Sequence, residues 1–200
     1  MLWNFEASDL LKEFELKQTP MIVVVNKFDE KSADDFRNKF SIAHNTGQKV
    51  IPVVIDSYGG QVYSLMSMIA TIKSSKLPVA TIVEGKAMSC GAVLLSFGSE
   101  GMRYMDSDAT VMIHDVASGQ WGKNEEIQAS AAETARLNKK IFQMMANNCG
   151  KEESFFLNKI HEKGHADWFL EADECKNIGL VNHIRIPRFD VKIDVSIDMI

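Results

Sequence analysis

Ser89 lies in the stretch "EGKAMSCGAVLLSFGS", Glu84 to Ser99, between small residues and directly ahead of the apolar run Ala92-Val93-Leu94-Leu95. Two chemistries fit this spacing. In the plainer one, Gly85 ends a strand, the Ser89 hydroxyl caps the next helix and Gly91 permits close packing. In the other, Ser89 is a nucleophile on a strand-to-helix turn, where the backbone N–H of Cys90 and the helix dipole stabilise an oxyanion. A serine hydroxyl is a poor nucleophile, so this second reading needs a base to take its proton and an acid to orient that base. Serine caps helices often, and the residues around Ser89 leave both readings open.

The chain has five histidines that could serve as the base. His44 and His183 fall where surface loops or strand ends are expected. His161 and His165 belong to "HEKGH", which matches the zincin pattern in form. That pattern works only on a continuous helix, which sets both imidazoles on one face. Gly164 stands immediately before His165, where helices tend to stop, and "NKIHEKGH" is strongly polar. No metal site and no cofactor are therefore expected. His114 is better placed, because it leaves the apolar run Val111-Met112-Ile113 beside a turn. Its alternative reading is a half-buried structural histidine.

These residues need elements to position them. "MIVVVNKF" is a β-branched run expected to form a strand covered on both faces, and "VIPVVID" (50–56) and "PVATIVEG" are two more. Between the first two, "SADDFRNKFSIAHNTG" suggests a helix that turns Phe36, Phe40 and Ala43 inward and ends near Gly47. Between the second and third, "QVYSLMSMIATIKSS" places Leu65, Met68, Ile69 and Ile72 on one face. Strand and helix thus alternate, the pattern of right-handed βαβ crossovers on a parallel sheet. Ligands sit outside the carboxyl ends of such strands, where Gly59, Gly60 and Ser89 all fall.

Beyond Gly98 the pattern changes to short strands around an Asp-Ser-Asp turn, then the glycine-containing loop "ASGQWG". A long helix over about 124–147 follows, with Ile127, Ala131, Thr134, Asn138, Ile141 and Met145 at alternating steps of four and three. It is expected to project and pack against another subunit; lying on its own domain is the alternative. "FLEADECKNIGLVNHIRI" suggests a last short helix, a stop at Gly179 and a final strand. At the start, Ser8-Asp9 ahead of Leu10, Leu11 and Phe14 reads as a short capped helix.

The bulk composition bounds the function. The chain has 200 residues, 46% hydrophobic and 24% charged, as expected of a globular domain. A net charge of −5 without runs of Lys or Arg argues against nucleic acid as a partner. No apolar run approaches a membrane span, and the first residues lack the basic-then-apolar order of a secretory leader. Cys90, Cys149 and Cys175 are odd in number and in no ligand spacing, which suggests reduced thiols in the cytoplasm or an equivalent reducing compartment.

Joint order adds a further signal. Gly59-Gly60 follows the second core strand, "GKAMSCGA" surrounds Ser89, "VMIH" ends at His114, and "DWFLEADECKNIGLVN" starts at Asp167. In these four motifs, spread over about 21–184, the chain resembles the proteolytic subunit of the Clp protease. The resemblance implies an α/β fold, a ClpP/crotonase-like spiral of βαβ units with a projecting handle helix at about 124–147. It implies Ser89 as nucleophile, His114 as base and later acid, Asp167 as the group orienting the imidazole, and the N–H groups of Gly60 and Cys90 as oxyanion hole. Gly60 has no Cβ, so a peptide can approach its N–H closely. Substrate would lie as an added strand between "SYGG" and "ASGQWG", touching Gly59, Gly119 and Gln120. Unfolded polypeptides would be the substrates. The partners implied are copies of the chain itself in stacked rings, heptameric in the family, and an AAA+ unfoldase driven by ATP.

The chain departs from the family's pattern at several places. Tyr58 replaces a proline that would stiffen the loop before Gly59, and Asp115-Val116 replaces Gln-Pro after the base. A charged Asp-Arg pair beside the acid is replaced by His165-Ala166, and Trp168 follows the acid. The first twenty residues match no axial pore loop. The expected organisation is a short N-terminal helical segment (1–20), a serine-peptidase domain (21–186) and a C-terminal tail (187–200). Two other functions are weighed: an acyl-CoA hydratase or isomerase of crotonase type, and a catalytically silent ring subunit. The first needs no triad, and the second is expected to have lost part of one.

Overall fold

The computed structural model describes residues 20–188, so the helix expected at Ser8-Asp9 lies outside the described residues, as do nearly all of the two terminal segments. Strands β1 (Val23–Val25), β2 (Ile51–Ser57) and β3 (Val79–Met88) pair in parallel, with Val24 opposite Val54 and Val53 opposite Thr81. Helix α1 (Glu30–Ala43) links the first two, α2 (Val62–Ser74) links the next two, and α3 (Cys90–Leu95) follows β3. Asp29 starts α1 with a capping box: its carboxylate accepts the Ser32 N–H at 2.7 Å, while Ser32 Oγ accepts the Asp29 N–H at 2.9 Å. Ala33, Phe36, Phe40 and Ala43 then recur at helical spacing and are all buried, as are Leu65, Met68, Ile69 and Ile72 on α2.

Two expectations about the strands change. Along β1, which forms one edge of the sheet, Val23 and Val25 are buried but Val24 is 46% exposed, so the β-branched run is covered on one face only. Gly85 does not end β3 but lies within it, where the register with β2 slips between Ile55 and Ser57. Glycine suits such a bulge because it tolerates the local kink.

That bulge organises the site. The first half of β3, Thr81 to Val83, pairs with β4 (Arg103–Met105), which in turn carries β7 (His183–Ile184). Its second half, Lys86 to Met88, turns away and pairs instead with β5 (Thr110–Ile113). β5 carries a last strand, β6 (Trp168–Leu170), in antiparallel register with Ile113 opposite Trp168. β6 is not evident in the sequence, nor is α5 (Phe155–Glu162), which buries only Phe156 and Ile160.

Helix α4 (Asn124–Asn148) divides into two halves. Leu137, Ile141, Phe142, Met145 and Ala146 are buried in the chain's own core, whereas Ile127 is 43% exposed and Ala131 is exposed as well. The expected stripe is therefore not one surface: its C-terminal part packs on its own domain and its N-terminal part projects. Burial of Phe142 and Phe156 contributes about 1.5–3 kcal/mol each relative to exposure. After α6 (Ala172–Asn177), Gly179 at φ +78° closes a Schellman turn, the Leu180 N–H donating to the Cys175 carbonyl at 2.8 Å.

Candidate active site

Ser89 joins β3 to α3 with φ +54° and ψ −117°, a conformation side-chain-bearing residues rarely adopt. Its N–H donates to the Met112 carbonyl at 2.8 Å, which ties the turn to β5. Its side chain makes no capping hydrogen bond to α3, so the helix-cap reading fails. Close packing does not depend on Gly91 either, since a Cβ there would meet Ile55 at 3.4 Å, an ordinary contact.

Gly59 and Gly60 approach from the end of β2. Their φ values of +107° and +148° suit glycine. A Cβ at Gly59 would stand 2.8 Å from the Ser89 Cβ, and one at Gly60 would collide with the Phe28 carbonyl. Backbone bonds hold this loop to the chain after β1: the Phe28 N–H donates to the Gly59 carbonyl at 3.2 Å, and the Gln61 N–H to the Phe28 carbonyl at 2.8 Å. Where a proline would have stiffened the loop, Tyr58 lies beneath the Lys86 ammonium, 4.5 Å from its ring centre, and Lys86 pairs with Asp56 at 2.7 Å.

His114 and Asp167 meet because of register. His114 follows Ile113, Asp167 precedes Trp168, and those two residues face each other across β5 and β6. His114 Nδ1 lies 3.8 Å from Asp167 Oδ1, an ion-pair separation longer than a hydrogen bond. Ser89 and His114 line one cavity of about 250 Å³ together with Gly60 and Cys90, and its apolar wall includes Val62, Ile113, Val116, Ile141 and Phe142. Gly119 and Gln120 lie at the exposed tip of their loop, and Val116 and Ala117 line the cavity from its base instead. Sequence periodicity marks Ile141 as a helix-face residue and passes over Phe142, and it shows for neither that it walls a cleft.

Burial pushes the Cys90 thiol up to about 11, so little thiolate exists near neutral pH. Its Sγ donates to the Gly60 carbonyl at 3.3 Å, linking the start of α3 to the glycine loop. Since α3 has six residues, anion stabilisation at its start would depend on N–H groups more than on a macrodipole. The "HEKGH" segment is not one helix. α5 ends at Glu162, and Gly164 at φ +67° closes a Schellman turn in which the His165 N–H donates to the Ile160 carbonyl at 3.0 Å. Among the described residues no group of three His, Cys, Asp or Glu could hold a metal ion. His44 and His183 bond the Phe40 and Gly101 carbonyls, at 2.6 and 3.0 Å.

Ser89 thus follows the longest strand of a mixed α/β chain and shares a cavity with His114, which lies 3.8 Å from Asp167. A family model described as Clp protease matches residues 7–188, and the chain belongs to that family, with its α/β fold. It is thus a peptidase of the Clp proteolytic-subunit kind, which leaves the acyl-CoA alternative without support. No described helix is long and apolar enough to cross a membrane.

Proposed function

We propose that the chain is a serine endopeptidase subunit whose nucleophile is Ser89. The observation that carries this reading is the strained Ser89 backbone, which serves no cap and opens, with His114, into one cavity. Ser89 Oγ bonds to the scissile carbonyl carbon as its proton passes to the His114 imidazole, which Asp167 orients. The developing oxyanion is held by the N–H groups of Gly60 and Cys90. When the C–N bond breaks, His114 returns the proton to the leaving amine. Water then attacks the acyl-enzyme by the same route and restores Ser89.

Extended polypeptide would bind through its backbone along Gly59 and the loop of Gly119 and Gln120, with an apolar side chain in the cavity. A groove that reads backbone selects poorly among sequences, so enclosure in stacked rings of the chain, fed by an ATP-driven AAA+ unfoldase, would supply selectivity. The peptidase domain would span 21–186, with 1–20 and 187–200 as flanking segments. The three buried, unpaired thiols suit a reducing compartment such as the cytoplasm. A fluorophosphonate probe followed by peptide mapping tests the chemistry. An adduct at Ser89, lost in Ser89→Ala, is expected; peptidase activity retained by that variant would overturn it, and an inert wild type would favour a silent ring subunit.

A further inference from the structure

Two of the chain's departures from the family's pattern meet in space. Asp115, one residue beyond His114, and His165, two before Asp167, form a hydrogen bond of 2.6 Å between Oδ2 and Nδ1. The other carboxylate oxygen of Asp115 accepts from Asn138 Nδ2 on α4 at 2.6 Å, and Asn138 Oδ1 accepts the Val116 N–H at 3.0 Å. Burial pushes the Asp115 carboxyl up, but the His165 and Asn138 hydrogen bonds outweigh it and hold it below its ordinary value. His165 itself is fixed from behind by the Schellman turn, at φ +61°, with the His161 ring centre 4.6 Å away. By contrast, among the described residues the Asp167 carboxylate makes no hydrogen bond, and its side chain is 52% exposed.

The acid is therefore held close to the base by backbone alone, across a strand of three residues, at 3.8 Å. Among the described residues, the tight side-chain bond between the base's segment and the acid's turn is Asp115 to His165. We propose that Asp115 and His165 are positioning residues: their bond clamps the Asp167 turn against the end of β5, so that the carboxylate closes onto His114 Nδ1 when substrate is bound. This rests on the reading of Ser89, His114 and Asp167 as one unit. It asks nothing of global stability, because a surface contact whose histidine side chain is 59% exposed adds little to it.

Peptidase kinetics of the full chain test the clamp. His165→Ala and Asp115→Ala should each lower kcat about ten- to a hundredfold with KM within about twofold, as expected when a catalytic group is displaced by a fraction of an ångström. The double variant should lose no more than Asp115→Ala alone, because the bond that His165→Ala removes is already gone there. His165→Gln, whose amide can still donate to Asp115, should recover most of the loss. The rate of fluorophosphonate labelling at Ser89 should fall in the same order of variants, since the occupied site draws on the base and on the acid that orients it.

Wild-type kcat in His165→Ala, a change carried by KM alone, or losses that multiply in the double variant would overturn the clamp while leaving an active, labelled wild type. A wild type that neither cleaves peptide nor labels at Ser89 would overturn the triad reading and the clamp with it. Should Asp115→Ala fail to fold, His165→Ala compared with His165→Gln on the exposed turn still decides.

Discussion

Ile113 stands opposite Trp168 in the antiparallel pair of β5 and β6, and that register sets His114 beside Asp167. Two residues 53 positions apart are thereby made neighbours by the pairing of two short strands, with no other element between them. If they act on Ser89 as a unit, their losses cannot multiply. His114→Ala should lower kcat by roughly 10⁴-fold or more, and adding Asp167→Ala should change it little further. Multiplying losses would refute the shared mechanism.

Ser89 at φ +54° implies strain retained for the position of its hydroxyl. Ser89→Gly relieves that strain and removes no cap, so it should raise stability on the order of 1 kcal/mol, or a few degrees in Tm, while abolishing cleavage. Calorimetry of the two proteins checks this. A lower Tm for the glycine variant would mean that the hydroxyl supports the fold after all.

The thiols predict alkaline weakness. Burial raises Cys90 and Cys149 to about 11 and Cys175 to about 12, above their unfolded value near 9. A raised pKa means that the native state keeps the proton the unfolded chain releases. Stability from these groups is therefore fully present below about pH 9 and lost as pH rises through 11 to 12. A two-unit displacement is worth about 3 kcal/mol once the folded pKa is passed. Urea midpoints should fall between pH 9 and pH 11, and disulfide reagents should react with the thiols only as the chain unfolds. A flat midpoint across that range would contradict their burial.

The two halves of α4 predict opposite results from similar changes. Ile127→Asp, on the projecting half, should leave the circular dichroism spectrum intact and break up an assembly many times the 22.4 kDa chain in light scattering. Ile141→Asp should unfold the subunit instead, because Ile141 is 5% exposed in its own core. A wild-type chain that is monomeric and fully active would defeat the assembly.

Local chemistry is legible without any knowledge of contacts. β-branched runs and apolar steps of three and four locate β1 to β3, α1, α2 and α4, because those periods reflect backbone geometry that neighbours do not alter. The order of the Gly59-Gly60, Ser89, His114 and Asp167 motifs points to the Clp protease family. Short elements are not legible: α5 buries two residues and β6 has three, too few to establish a period.

What only the tertiary structure decided is how segments distant in the chain meet. Val24 lies on an edge because no strand flanks β1 on its outer side among the described residues, and a β-branched run alone cannot report its neighbours. Ser89 is strained and uncapped because β3 leaves one neighbour for another at the Gly85 bulge and the Met112 carbonyl takes the serine N–H. His165 and Asp115 are two unrelated departures in the sequence, 50 residues apart, and become partners only when the β5 and β6 register lays their segments side by side. Sequence alone determined the residue types, their order and their local periods. Pairing and register brought them into contact, since strand hydrogen bonds and core burial are satisfied only when the whole sheet is assembled.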